Sequence, residues 1–245
     1  MYRSLNAELI VQTCRATRER IAAQFPNSGL SQIAGEISAV SEQAAGKAAW
    51  LAKPHLPLRT LASLGIVSIV AIVVGVGLHV QVQMNVGSIA EFLQGLDAAI
   101  NAVIFFVIAV FFFITLETRL KRRRALRAIN ELRSLAHVID MHQLTKDPER
   151  IVLPAMEPAG SAKRPRNPAE LIRYLDHCSD LLALISKIAV LYVQDFDDAI
   201  TRAAVNEIEN LTNGLARKIW QKIVIFDRIL APANGTAPPR VARNA

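Results

Sequence analysis

The sequence is poor in the residues that make turns and strands. Its 245 residues include 11 glycines, 11 prolines and three tyrosines. Outside two apolar runs, no segment alternates Val, Ile and Thr with polar residues at the period of a strand. These absences exclude a turn-rich sheet protein and predict an all-α fold. There are two cysteines, Cys14 and Cys178, with no C-x-x-C pair and no Cys/His cluster at zinc spacing. Neither a disulfide framework nor a structural zinc is expected from so few thiols. The patterns G-x-x-x-x-G-K, G-x-G-x-x-G, G-x-S-x-G and H-E-x-x-H are all missing. The sequence therefore offers no phosphate-cradling loop, nucleophile elbow or zinc-protease helix. The reading is of a non-enzyme, with no catalytic residue, cofactor or metal.

Charge is also missing over one long stretch. From Thr60 to Asn85 there is no Asp, Glu, Lys or Arg, and Leu61–Val80 is broken only by Ser63, Ser68, three glycines and His79. Twenty helical residues at about 1.5 Å each span about 30 Å, the hydrocarbon thickness of a bilayer. A second run, Ala98–Leu116, holds Phe105, Phe106, Phe111, Phe112 and Phe113, with Asn101 its only strongly polar group. The two runs predict transmembrane helices over 60–80 and 98–116, joined by a short external connector, 81–97. The N-terminus, Met-Tyr-Arg-Ser-Leu-Asn-Ala-Glu, has no apolar core of a cleaved signal peptide, so the first run is read as an uncleaved anchor.

The connector has no Lys or Arg but carries Glu91 and Asp97, whereas Lys47, Lys53 and Arg59 precede the first run. After the second come Arg119, Lys121, Arg122, Arg123, Arg124, Arg127 and Arg133. Basic residues resist translocation, so both flanks stay in the cytoplasm, as expected of a bacterial inner (plasma) membrane protein. Between 117 and 133 seven basic and two acidic side chains give +5 of the formal +7. The positive charge is thus concentrated beside the membrane. It predicts anionic lipid headgroups as partners of Arg119, Lys121, Arg122, Arg123, Arg124 and Arg127, and no nucleic acid.

No Gly or Pro lies between Leu96 and Asp147, so the second span has no reason to stop at the membrane surface. Leu116, Leu120, Leu126, Ile129, Leu132, Leu135, Val138 and Ile139 continue a helical spacing, and a helix is predicted from Ser88, opening on a Ser88–Glu91 capping box, to about Leu144. Its second half, 117–147, reads as a cytoplasmic stalk. Prolines 148, 154, 158, 165 and 168 then mark a linker over 148–167.

Asn167-Pro168 restarts a helix in which Leu171, Leu175, Cys178, Leu182, Ile185, Ala189 and Tyr192 step by fours and threes without a break. Tyr174, Leu181 and Ile188 widen that seam. A corner is expected at Asp195–Asp198. A last helix follows on Ile200, Ala204, Ile208, Leu211, Leu215, Ile219, Ile223, Phe226 and Leu230, with Asn213-Gly214 able to kink it. Residues 168–230 thus read as a helical hairpin and 231–245, by composition, as a disordered tail. The N-terminal region, 1–59, reads as a second hairpin that turns at Pro26-Asn27-Ser28-Gly29 and joins the same cytoplasmic bundle.

His137, Asp140, His142 and Asp147 form a polar cluster, but His137 and His142 are five apart and face different sides of a helix. Asp176, His177 and Asp180 form another, read as a polar helix face. Gly65, Ser68, Ala71 and Gly75 line one face of the first span with small residues, a surface for close helix packing against the second span or another copy. Leu171, Leu175, Leu182 and Ile185 are the corresponding packing residues of the cytoplasmic seam. The segment Lys218-Ile219-Trp220-Gln221-Lys222 is distinctive, yet no activity attaches to it. Together these features predict a self-associating, membrane-anchored scaffold or signalling adaptor with a further cytoplasmic protein partner. The alternative is an oligomeric channel or membrane-perturbing effector gated by the cytoplasmic domain.

Overall fold

The computed structural model describes residues 4–54, 56–83, 89–144 and 168–230. Among them the fold is all-α, with helices α1 (Ala7–Gln24), α2 (Gly29–Ala52), α3 (Leu56–Gln83), α4 (Ile89–Leu144), α5 (Pro168–Gln194) and α6 (Ala199–Leu230). The Ser88–Glu91 cap, the 148–167 linker, Asp147 and the 231–245 tail lie outside the described residues or rest on side chains that do. By backbone contacts the chain divides into two units, Met1–Ala48 with Ala128–Ala245, and Ala49–Arg127.

In the first unit, local chemistry sets the helix ends. Asn6 caps α1, its Oδ1 accepting from the amides of Glu8 at 2.8 Å and Leu9 at 3.3 Å. After Phe25 the chain turns through Asn27, whose φ of 56° is left-handed, a conformation asparagine tolerates better than most residues. Ser28 then starts α2, its Oγ accepting from the Ser31 amide at 3.1 Å. The Asp195–Asp198 corner separates α5 from α6, and Asp198 Oδ2 accepts from the Thr201 amide at 3.0 Å and the Thr201 hydroxyl at 2.8 Å.

That cap shifts the buried row expected for α6 at its first turns, while Ile208, Leu215, Ile219, Ile223 and Phe226 are buried as expected. Ile200, expected in the core, is 50% exposed, while Thr201 and Val205 are buried. Turning Thr201 inward to bond Asp198 carries Ile200 outward. The buried row is Thr201, Val205, Ile208, Thr212, Leu215, Ile219, Ile223 and Phe226. Asn213-Gly214 lies inside α6, which runs as one helix.

The α5 seam is buried along its whole length: Leu171, Leu175, Cys178, Leu182, Ile185, Ala189 and Tyr192, with Tyr174, Leu181 and Ile188 beside them. Each such aliphatic side chain contributes about 1.5–3 kcal/mol of burial. The seam packs against α6 and α1. From α1 come Ile10, Cys14, Thr17 and Ile21, and Phe25 meets Tyr174 edge-on at 5.6 Å. The last turns of α4 belong to this core. Ile129, Leu132, Ala136 and Ile139 are fully buried, so 128–144, expected as part of a stalk, is a bundle helix. Its polar side joins its neighbours: Arg133 pairs with Glu207, Lys47 lies 3.6 Å from Glu131, and Lys222 Nζ donates to the Gln143 carbonyl at 3.1 Å.

The second unit holds the two apolar runs. Two segments, one within Gly29–Gly75 and one within Leu93–Gln143, are long and apolar enough to cross a membrane, and no residue of the most apolar 18-residue stretch of either is buried.

Candidate functional site

In the second unit the basic cluster divides by environment. Lys121 departs from the headgroup role expected of it. It is 8% exposed, and its ammonium donates to the Lys53 carbonyl at 2.9 Å and pairs with Glu117 at 3.0 Å. Glu117 also takes Arg59, at 2.8 Å. A lysine starting the basic run reaches the carbonyl before Pro54, which no α2 hydrogen bond consumes, so it closes the end of α2. Arg124 lies over the Trp50 ring at 4.1 Å and Arg119 over the Phe112 ring at 5.8 Å, both cation–π arrangements. Arg119, Arg123, Arg124 and Arg127 are exposed and Arg122 half-buried.

The small-residue face of α3 is also divided. A Cβ on Gly65 would lie 2.8 Å from Phe113 Cζ, so the glycine admits that ring. Ser68, Ala71 and Gly75 are exposed, and nothing lies within 4 Å of the Cβ position of Gly75.

In the first unit the His137–His142 cluster divides in the same way, whereas Asp176, His177 and Asp180 stay together. His137 is exposed, whereas His142 lies against Gly29. Among the described residues no group of His, Cys, Asp and Glu is arranged to hold a metal ion. His177 is buried at the α1–α5 contact, its Nε2 2.9 Å from Gln24 Oε1 and its ring 6.1 Å from Phe25. Its Nδ1 lies 3.6 Å from Asp180. The neighbouring Asp176 has its acidity weakened, chiefly by partial burial and then by the Asp180 carboxylate, with His177 opposing both.

Asp176 and Asp180 face α6 across an open groove of about 520 Å³. From α6 it is lined by Ala216, Arg217, Ile219, Ile223 and Trp220, the last 63% exposed. The groove exists because α6 turns its apolar row toward α5 while Trp220, one position past Ile219, falls outside that row. Sequence reasoning noted the Trp220 segment without assigning it. The available signal was an indole off the apolar stripe of an amphipathic helix, where a buried aromatic has no place. The predicted packing residues Leu171, Leu175, Leu182 and Ile185 are all consumed inside the bundle.

Comparison with protein-family models, with curated proteins and with solved structures found no match for this chain.

Proposed function

We propose that the chain is a two-pass integral membrane protein with both termini in the cytoplasm, and that its cytoplasmic helices form an oligomeric scaffold or signalling adaptor. One observation carries the reading. The chain buries the α5 seam completely, yet leaves Leu64 65%, Phe105 72% and Phe111 60% exposed. Exposing a large aliphatic or aromatic side chain to water forgoes about 1.5–3 kcal/mol, and soluble monomers seldom expose apolar patches above a few hundred Å². Lipid is the solvent that removes this cost. The exposed arginines on the α4 side and Arg59 at the start of α3 support the orientation and an anionic-headgroup partner. The absence of catalytic motifs from the sequence supports a binding role.

The test is accessibility to an impermeant thiol reagent in intact cells. Gly87→Cys, in the connector, should be labelled. Gly46→Cys and Gly214→Cys, at exposed helix positions with open space beside the glycine, should be labelled only after lysis. Labelling of the last two in intact cells overturns the orientation. The native Cys14 and Cys178 are buried and serve as neither probe nor control.

The channel reading draws on one feature, the exposed row of Ser68, Ala71 and Gly75, where helices of several copies can approach closely. Conductance of the purified protein in a planar bilayer separates it from the scaffold.

A further inference from the structure

The seam that the sequence offers for self-association is used up inside the subunit, so assembly of the cytoplasmic part needs another surface. We propose that the groove beside Trp220 is that surface and that its occupant is the same groove of a second copy, joined by a two-fold axis. This inference rests on the scaffold reading and names the surface by which copies meet.

The groove is self-complementary in both shape and charge. It is an open hollow of about 520 Å³ whose own lining includes the exposed indole of Trp220. In a two-fold contact each copy gives its projection to the other's hollow. Trp220 of one subunit then enters between α5 and α6 of the other, over Ala216, Ile219 and Ile223. Val224, 39% exposed and one turn beyond Trp220, extends the apolar contact.

The charges fit the same operation. Asp176 and Asp180 lie one turn apart on α5, and Arg217 lies on α6. Among the described residues neither Asp176 nor Arg217 makes an ion pair, and Asp180 pairs only with His177. The two-fold operation brings Arg217 of each copy to the acidic side of the other. A purely cationic partner would satisfy the carboxylates but confront Arg217, and an acidic one would do the reverse. A surface carrying both signs beside an aromatic suits a copy of itself. Trp and Arg are also the residues that most often dominate interface energies.

The experiment is the mass of the full-length protein in detergent, across a concentration series, by light scattering corrected for detergent. Trp220→Ala should weaken association roughly 30-fold or more. Arg217→Asp should weaken it about tenfold, as should Asp176→Arg with Asp180→Arg, and the three changes together should recover most of the loss. All four side chains are exposed, so the variants should keep wild-type helicity by circular dichroism.

A second readout follows Trp220 emission in a Trp50→Phe background. It should be shielded from acrylamide in the multimer and become accessible on dilution. A multimer whose mass is unchanged by Trp220→Ala and by the charge reversals overturns this inference and leaves the scaffold reading standing. Shielded Trp220 in a monomer also overturns it, because something other than a second copy covers the groove. A wild-type chain monomeric at every concentration overturns both.

Discussion

The imidazole of His142 fills the space beside the Cα of Gly29, where an added Cβ would lie 2.4 Å from the ring Cε1. The contact joins the first turn of α2 to the last turn of α4. Gly29→Ala must push the ring aside, and overpacking of this kind costs about 1–3 kcal/mol. The better helix propensity of alanine returns about 0.5–1 kcal/mol, so a net loss of stability is expected. Thermal melts of Gly29→Ala, His142→Ala and the double variant check it. Losses that simply add would show that the ring is not the obstacle.

Leu182 sits fully buried at the centre of the α5 seam. Leu182→Asp would bury a carboxylate without a partner, at about 3 kcal/mol or more. Because the seam contacts α1 as well as α6, the full chain is the right sample. Loss of cooperative melting of the helical signal is expected, and unchanged helicity and melting would remove the seam from the core.

Tyr192 carries its hydroxyl into the core, where it finds no hydrogen-bond partner among the described residues. Tyr192→Phe removes an unpaired polar atom without changing shape, so stability should stay level or rise by about 1 kcal/mol. A loss above 1 kcal/mol in a denaturant titration would mean that the hydroxyl is bonded.

The same burial predicts alkaline sensitivity. Desolvation raises Tyr192 above its ordinary 10.0, with the Glu131 charge adding to it, and raises Cys14 above 9.0 against a hydrogen bond from Ser41. For both groups the folded state prefers the neutral form. Their contribution is therefore complete below the unfolded values and is lost as pH rises past them. Stability should be flat through neutrality and fall above about pH 9. A Cys14→Ala, Tyr192→Phe variant should fall less steeply, and an identical slope would assign the loss to other groups.

Lys121 and Arg123 are neighbours in one basic run with different surroundings. Lys121→Met strands the Lys53 carbonyl and leaves Glu117 to its pairing with Arg59, and should cost about 1–3 kcal/mol. Arg123→Gln, at an exposed position, should change stability by less than about 0.5 kcal/mol. Flotation with vesicles containing anionic lipid then reads the headgroup role through Arg123 without the folding defect. Equal destabilisation by both variants would erase the distinction.

Much of the helical layout was legible because it depends on chemistry local in the chain. The Pro26–Gly29 turn and the Asp195–Asp198 corner mark helix ends through caps and breakers that act within a few residues. The ten-residue stripe of α5 declared its buried face because helical periodicity alone brings Leu171 through Tyr192 to one side. The apolar runs at 60–80 and 98–116 are likewise a property of consecutive residues.

What the tertiary structure decided is which neighbours those faces meet. Lys121 looks like any other member of the basic run until the Lys53 carbonyl stands beside it. His142 reads as one member of a polar cluster until Gly29 opens a place for its ring, and the last turns of α4 read as a stalk until Ile129 and Ile139 are enclosed. Ile200 and Thr201 exchange places because one carboxylate, Asp198, turns the first residues of α6. The groove beside Trp220 needs α5 and α6 side by side, with Asp176 and Arg217 brought together from 41 positions apart in the chain. Periodicity specifies the face that a helix buries; the partner on that face is set by packing between segments distant in sequence.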